Sequence, residues 1–313
     1  MFSIIIPLFN KEKYIEKAFQ SIINQTFTEF EVLVVDDGST DNSLEKVKQF
    51  QHSNIQIIEQ PNSGVSTARN NGVKRAKYDY ICFLDADDWW ESTFLEEMAR
   101  LINDFPNAGI YGTSYFKVKN GKNIPAQIGV AQGFTRGYFD YLQAYINSPW
   151  MPLWTGAVCV PKQIFDEMNG FKPALKLGED FDLWVRIALK YPTALINSPL
   201  SYYNQDVEQA ARAVGRKLHQ PENHMLFALH ELYNQEDSNP KLKQLMDNQR
   251  TYGLFPYYLN KDTRQAAVGE LNRVNWSKQP KAAYKKYYQT PIWFLKLKYQ
   301  LLVMASIIKN ILK

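Results

Sequence analysis

Asp85, Asp87 and Asp88, with Ala86 between the first two, stand at the end of an apolar run over residues 80–84. Carboxylates crowded at the mouth of a hydrophobic strand repel one another, and partial burial makes that repulsion costly unless a cation or a proton compensates. Hard oxygen donors select Mg2+ or Mn2+, which commonly share a diphosphate with one or two protein carboxylates. The plainer alternative is a helix start, with Asp87 or Asp88 capping the helix that follows and favouring its dipole. A second acidic turn, Asp36-Asp37-Gly38-Ser39-Thr40-Asp41, closes an earlier apolar run. Ordinary turn chemistry accounts for Gly38, and for Ser39 or Asp41 as a cap. It does not account for two adjacent carboxylates, one of which could accept from a base or a ribose. A third group, Gly178-Glu179-Asp180, precedes a helical stretch with Leu183, Trp184, Ile187 and Leu189. A carboxylate there could take the proton from a hydroxyl, or simply cap the helix.

The elements that must position these groups are written in the apolar spacing. Residues 2–6 read as a strand stopped by Pro7. Asn10 is placed to cap a helix over 11–24, whose stripe is Tyr14, Ile15, Ala18, Phe19, Ile22 and Ile23. Strands follow at 31–35, 55–58 and 80–84. Between them run helices marked by Leu44, Val47 and Phe50, then by Val65, Ala68, Gly72, Val73 and Ala76. This alternation predicts an α/β fold, a mostly parallel sheet flanked by helices on both faces. Ligands of such sheets bind outside the carboxyl ends of the strands. Those ends carry residues 7–10, 36–39, 60–64 and 85–88, and three of the four are polar or acidic. Beyond Asp88 the spacing predicts a helix from Phe94 to Phe105, a strand near 110–118, a turn at Asn120-Gly121, a loop over 124–137 and a buried run at 154–160. From about Pro221 only helical spacing remains. Residues 1–220 are therefore expected to form the catalytic domain, and 221–313 an α-helical C-terminal appendage.

Composition narrows the classes. The 313 residues are 45% hydrophobic and 14% aromatic, ample for a packed core. A net charge of +4 and the lack of any reader motif argue against nucleic acid. Cys82 and Cys159 lie in apolar runs and read as buried thiols rather than a disulfide. The four histidines, at 52, 219, 224 and 230, have no metal spacing, and His224 and His230 read as solvent-facing. The opening residues lack the features of a leader peptide, and no stretch reaches the ~18–20 apolar residues of a membrane span. The expectation is a protein made and kept in the cytoplasm. From Lys278 to Lys313, however, there are eight lysines and no acidic residue, and residues 292–312 are rich in Leu, Ile, Trp and Phe. Such a tail either lies on an anionic membrane surface at the inner face of the cell membrane, or packs on the protein with its lysines in water.

Taken in order, the motifs form a set. Ser3-Ile4-Ile5-Ile6-Pro7-Leu8-Phe9-Asn10 is followed by Ser21-Ile22-Ile23-Asn24-Gln25-Thr26 and Val34-Val35-Asp36-Asp37-Gly38-Ser39-Thr40-Asp41. Then come Asn62-Ser63-Gly64-Val65-Ser66-Thr67-Ala68-Arg69-Asn70, the run from Phe83 to Asp88, and Gly178-Glu179-Asp180. The set, over roughly residues 1–205, closely resembles the family-two glycosyltransferases. The resemblance implies a GT-A fold and an inverting single displacement, in which an α-linked nucleotide-sugar, expected to be a UDP-sugar, gives a β-linked product. It implies Pro7, Phe9 and Asp37 at the nucleotide base, Asp36 supporting that turn, and Arg69 near the diphosphate rather than as a solvated helix cation. Asp85 is implied at the ribose or the metal shell, Ala86 beside it, and Asp87 on a Mn2+ or Mg2+ ion. Asp180, with Glu179 as the alternative, is implied as the base for a hydroxyl of a glycan or lipid-linked acceptor in cell-surface polysaccharide or glycolipid assembly. Trp154-Thr155-Gly156-Ala157, Trp89-Trp90 and Trp150 are candidates for the acceptor side, against plain core packing. The glutamine–arginine–tryptophan motif of processive members is absent, which favours single addition. Two other functions fit the residues less well. A nucleotidyltransferase should carry a glycine-rich loop after the first strand, where residues 7–11 have no glycine. An inactive sugar-nucleotide-binding scaffold would not be expected to keep both Asp87 and Asp180.

Overall fold

A computed structural model describes residues 1–50, 54–148, 150–208, 218–279, 282–295, 297 and 301. The chain divides into two compact units, Met1–Lys217 and Leu218–Lys313.

The first unit opens with β1 (Phe2–Leu8), α1 (Ile15–Ile23), β2 (Phe30–Asp36), α2 (Ser43–Gln49), β3 (Ile55–Glu59), α3 (Val65–Arg75) and β4 (Tyr80–Phe83). It continues with β5 (Trp89–Trp90), α4 (Phe94–Asp104), β6 (Ile110–Lys119), β7 (Lys122–Pro125) and β8 (Arg136–Phe139). Helix α5 (Tyr141–Asn147), β9 (Val158–Pro161), α6 (Lys162–Glu167), α7 (Glu179–Ala188) and β10 (Thr193–Asn204) complete it. The sheet runs β3-β2-β1-β4-β9-β6-β10-β5, with β7 on β6 and β8 on β10. Strands β3, β2, β1 and β4 are parallel. Strand β9 enters antiparallel between β4 and β6, so the later half of the sheet is mixed.

Alternation along the strands sends neighbouring side chains to opposite faces. Ile4, Ile6 and Leu8 join Ala18, Phe19 and Ile22 of α1 and Leu95, Met98 and Leu101 of α4 in one core layer. Ile5 points the other way, onto α3. There a Cβ at Gly72 would come within 2.5 Å of Ile5 Cγ2 and 3.2 Å of Val35 Cγ2. Phe83 shares that second face, with ring centroids 5.2 Å from Phe171 and 5.8 Å from Phe165. Cys82 and Cys159 are free, buried, and register partners across β4 and β9.

Several local expectations are corrected. Pro7 does not stop β1 but lies within it, opposite Val35. Ile5 O accepts from Leu84 N, so Ile5, and Pro7 two residues on, present their backbone toward β4, whose pairing with β1 has ended at Phe83. No ladder donor is missed there. Asn10 does not cap a helix: it sits at φ 51°, its side chain accepts from Thr40 N at 2.8 Å, and α1 begins only at Ile15. The stretch expected as loop over 124–137 overlaps β7 and β8, which take partners on β6 and β10. Asp87 and Asp88 cap no helix, because β5 intervenes before α4.

The regular elements among the described residues of the second unit are all helices. Short helices α8 (Met225–Ala228) and α9 (His230–Tyr233) precede α10 (Pro240–Gly253), α11 (Phe255–Leu259), α12 (Arg264–Leu271) and α13 (Ala282–Gln289). Asn239 caps α10 by accepting from Leu242 N at 3.0 Å, and Pro240 takes the first turn, where a missing N–H costs nothing. Leu226, Leu254, Tyr257, Ala267, Leu271 and Val274 form its apolar core. Arg250 is buried, with Glu236 at 2.6 Å and Glu270 at 3.1 Å. His224, expected to face solvent, is buried; its Nδ1 accepts from Leu226 N, and burial pushes its pKa down to about 4. Residues 292–295 are helical, with Leu295 buried and Trp293, Phe294, Leu297 and Leu301 exposed. His52, Lys281, Lys296, Lys298, Lys309 and Lys313 lie outside the described residues. Among the described residues no helix is long and apolar enough to cross a membrane.

Candidate active site

The register sets Leu8 opposite Asp36 and Asp36 opposite Glu59, so the parallel strands finish at one edge. Asp37 extends that edge, its N–H donating to Leu8 O at 2.8 Å. The Asp37 carboxylate is buried and locked to the loop before α3. Its Oδ1 accepts from Gln60 Nε2 and Ser63 N, both at 2.7 Å, and its Oδ2 from Gly64 N at 2.8 Å. A carboxylate offers about four acceptor positions, so about one remains, on Oδ2. Gly64 makes this possible: at φ +90° it holds the entry to α3 in a conformation that L side chains avoid. Asp36 accepts from Ser39 N through Oδ2 at 3.3 Å, while its buried Oδ1 has no partner among the described residues. At the end of β1, Pro7 is half-buried and the Phe9 ring is 43% exposed.

Arg69 is no solvated helix cation. It is 3% exposed and bridges two elements, Nη2 lying 2.7 Å from Asp85 Oδ1 and Nη1 3.1 Å from Glu179 Oε1. Its guanidinium also lies 5.3 Å from the centre of the Phe171 ring. Burial alone would lower its pKa, but Asp85 and Glu179, with Asp180 behind them, outweigh that and raise it. The bridge ties Asp85, just past β4, to the first residue of α7.

Asp180 sits in the first turn of α7, behind Gly178 at φ +83°. Its Oδ1 accepts from Phe181 N at 2.7 Å, and Thr155 Oγ1 lies 3.5 Å from Oδ2. Burial, then the charges of Glu179 and Asp85, push the Asp180 carboxyl up to about 7, against the opposing pull of the Phe181 N–H and Arg69. That value suits a group that must gain and lose a proton near neutral pH.

The remaining acidic residues divide their roles. Asp87 Oδ2 lies 2.6 Å from Lys11 Nζ. Burial raises the Asp87 pKa and Asp85 adds to it, with Lys11 opposing. Asp88 is buried and accepts from Asn204 N at 2.7 Å, which ties the acidic turn to the end of β10; burial, Asp87 and Asp85 hold its carboxyl well above the usual range. The Ala86 methyl belongs to the core, so only its backbone could meet a ligand. Trp154, 4% exposed, stacks on Tyr203 at 4.7 Å, and Trp90 Nε1 donates to Gly156 O at 2.7 Å. Tyr203 faces the carboxylates: burial first, then Asp88, Asp85, Asp87 and Asp180, push its pKa up to about 12. Lys11 and Tyr203 were not legible as site residues, since neither carries a motif. The one available signal for Lys11 was its position just past the end of β1.

Among the described residues no group of three or more His, Cys, Asp and Glu side chains forms a metal cage. Asp85 and Asp87 are nonetheless a fitting pair of hard oxygen donors. Together with Asp88, Glu179 and Asp180 they outnumber Arg69 and Lys11, leaving negative charge that a divalent cation would offset. Such ions typically complete their shell with substrate phosphates and water.

The family model described as glycosyl transferase family 2 matches residues 3–167. The chain belongs to glycosyltransferase family 2. Among the proteins it resembles, the glycosyltransferase GlyA of Streptococcus pneumoniae is 41% identical over 124 residues, covering 39% of this chain and 18% of GlyA. The poly(ribitol-phosphate) beta-N-acetylglucosaminyltransferase TarS of Staphylococcus aureus is 34% identical over 131 residues, 40% of this chain and 22% of TarS. The chain thus matches well under half the length of these relatives. The crystal structure of TarS 1–349 in complex with UDP-GlcNAc superposes with a TM-score of 0.74 at 21% identity, covering 88% of this chain and 82% of that one. The mannosyltransferase PcManGT of Pyrobaculum calidifontis, in complex with GDP-Man and Mn2+, gives 0.58 at 16% identity, with 99% and 86% covered. These likenesses establish the GT-A fold.

Proposed function

We propose that this family-two glycosyltransferase moves one sugar from a nucleotide-sugar, first among them a UDP-sugar, to a hydroxyl of a glycan or lipid-linked acceptor. The transfer inverts the anomeric centre and serves cell-surface polysaccharide or glycolipid assembly, with residues 1–220 as the catalytic domain. The observation that carries this reading is the Arg69 bridge, which holds the donor-side Asp85 and Glu179, next to the base-side Asp180, to one guanidinium. Phe9 and the remaining acceptor position of Asp37 would receive the base, with Asp36 supporting the turn. Asp85 and Asp87 would hold Mn2+ or Mg2+, which when bound neutralises charge on the diphosphate. Arg69 fixes Asp85 and adds positive potential beside the departing group. Asp180, raised to about 7, takes the acceptor proton; Glu179 is held by Arg69 and is the poorer base. That TarS was solved with UDP-GlcNAc and PcManGT with Mn2+ supports the donor class and the ion.

The test offers purified protein a panel of UDP-sugars with Mn2+ and simple glycan acceptors, and reads nucleotide release and product anomer by NMR. A β-linked product from an α-linked donor is expected. An α-linked product, or release unaffected by Asp180→Asn, contradicts the reading. Peripheral attachment at the inner face of the cell membrane is part of the same proposal. It is supported by the exposed Trp293, Phe294, Leu297 and Leu301 beside a lysine-rich, acid-free stretch. Removing residues 290–313 is expected to abolish sedimentation with anionic vesicles while leaving the helical circular-dichroism signal.

A further inference from the structure

We propose that Lys11 is a built-in counter-ion of Asp87 that a divalent cation must displace, and that its ammonium then passes to the donor's diphosphate. This rests on the catalytic-site reading above and assigns to that site a residue with no motif of its own.

The pair is close and largely withdrawn from water: Nζ lies 2.6 Å from Oδ2, and the side chains are 16% and 15% exposed. The root of Lys11 is fixed. Its N–H donates to Ser43 Oγ at 2.7 Å, the preceding Asn10 is tied to Thr40 N, and the following Glu12 N donates to Asp41 Oδ2 at 3.1 Å. Three successive residues are thus pinned to the loop after β2 and to the first residue of α2, while the four-carbon stem gives the ammonium a reach of several ångströms. A divalent ion and an ammonium cannot share one carboxylate oxygen without strong repulsion in so dry a place. Metal at Asp87 and Lys11 at Asp87 therefore compete. Arg69 cannot stand in, because both of its terminal nitrogens already serve Asp85 and Glu179. A diphosphate arriving at the strand ends supplies the displaced ammonium with a new anion. The ion should accordingly bind weakly alone and tightly with the nucleotide.

Lys11→Met removes the charge and keeps the stem. Mn2+ affinity without nucleotide, read from the electron paramagnetic resonance signal of the free ion, is expected to tighten about fivefold or more. UDP affinity with saturating Mn2+, read by calorimetry, is expected to weaken about tenfold. Lys11→Arg should keep Mn2+ weak. Mn2+ affinity that is unchanged or weaker in Lys11→Met, with an unaltered melting profile, overturns the proposal while leaving the site reading intact. If Asp87→Ala in a chain that keeps Lys11 fails to reduce Mn2+ binding, the site reading itself falls.

Discussion

Asp180 carries the sharpest residue-scale consequence. Because its pKa is pushed up to about 7, it is protonated and idle as a base in mild acid. Transfer under kcat/KM conditions is therefore expected to rise with pH through a limb near 7. Burial is the first cause of that shift and Glu179 the second, so Glu179→Gln should move the limb toward lower pH; an unmoved limb would assign it to another group. The linkage has the opposite sign for stability. A carboxyl raised in the folded state costs stability as pH climbs from its ordinary 3.8 to about 7, and none below. Asp180→Asn should lower turnover by about a hundredfold or more while UDP binding by calorimetry stays within error. At this scale the acidic motifs were legible because three of their groups lie at strand ends or a helix start. Lys11 was not: its partner is 76 residues away, and only tertiary structure joins them.

Among elements, the loop from β3 into α3 does the most for its length. Ser63 and Gly64 turn their N–H groups onto Asp37, and Gly64 can do so only at φ +90°, ψ 159°. Gly64→Ala puts a side chain in that strained region, at a cost of about 1–3 kcal/mol. It is expected to lower the melting temperature and to weaken UDP binding severalfold, since the loop would release Asp37. A melting curve and a UDP titration check this; unchanged values in both would mean that the loop relaxes without loss. The early strands and helices were readable because burial on both faces leaves near-continuous apolar runs. Pro7 misled because its harmlessness depends on where β4 stops pairing, and Asn10 because its side chain is spent on Thr40. Strands β7 and β8 were hidden for a related reason: their partners, rather than their own sequences, make them strands.

For the whole molecule, the helical unit has its own core and its own buried charge cluster. Replacing Arg250 by Met would take both guanidinium hydrogen bonds from the buried Glu236 and leave it only the longer pairs with Lys243 at 3.8 Å and Arg273 at 3.9 Å; breaking a buried pair typically costs about 3–5 kcal/mol. Calorimetry is expected to show the unfolding of residues 218–313 shifted down, with little change in the transition of the first unit; a single transition shifted as a whole would show that the two melt together. Helical spacing announced this unit, but His224 shows how little exposure can be read from one residue, since its neighbours Phe227 and Tyr257 close over it. In the first unit, meanwhile, the proposed chemistry leans on a missing methyl. Gly72 lets α3 settle against Ile5 and Val35, and Arg69 rides the same helix one turn earlier. A bulkier neighbour in the greasy layer would lift that helix and pull the guanidinium out of reach of Asp85 and Glu179. The steering of charge at the sheet's rim is inherited from how tightly the oil beneath it is packed.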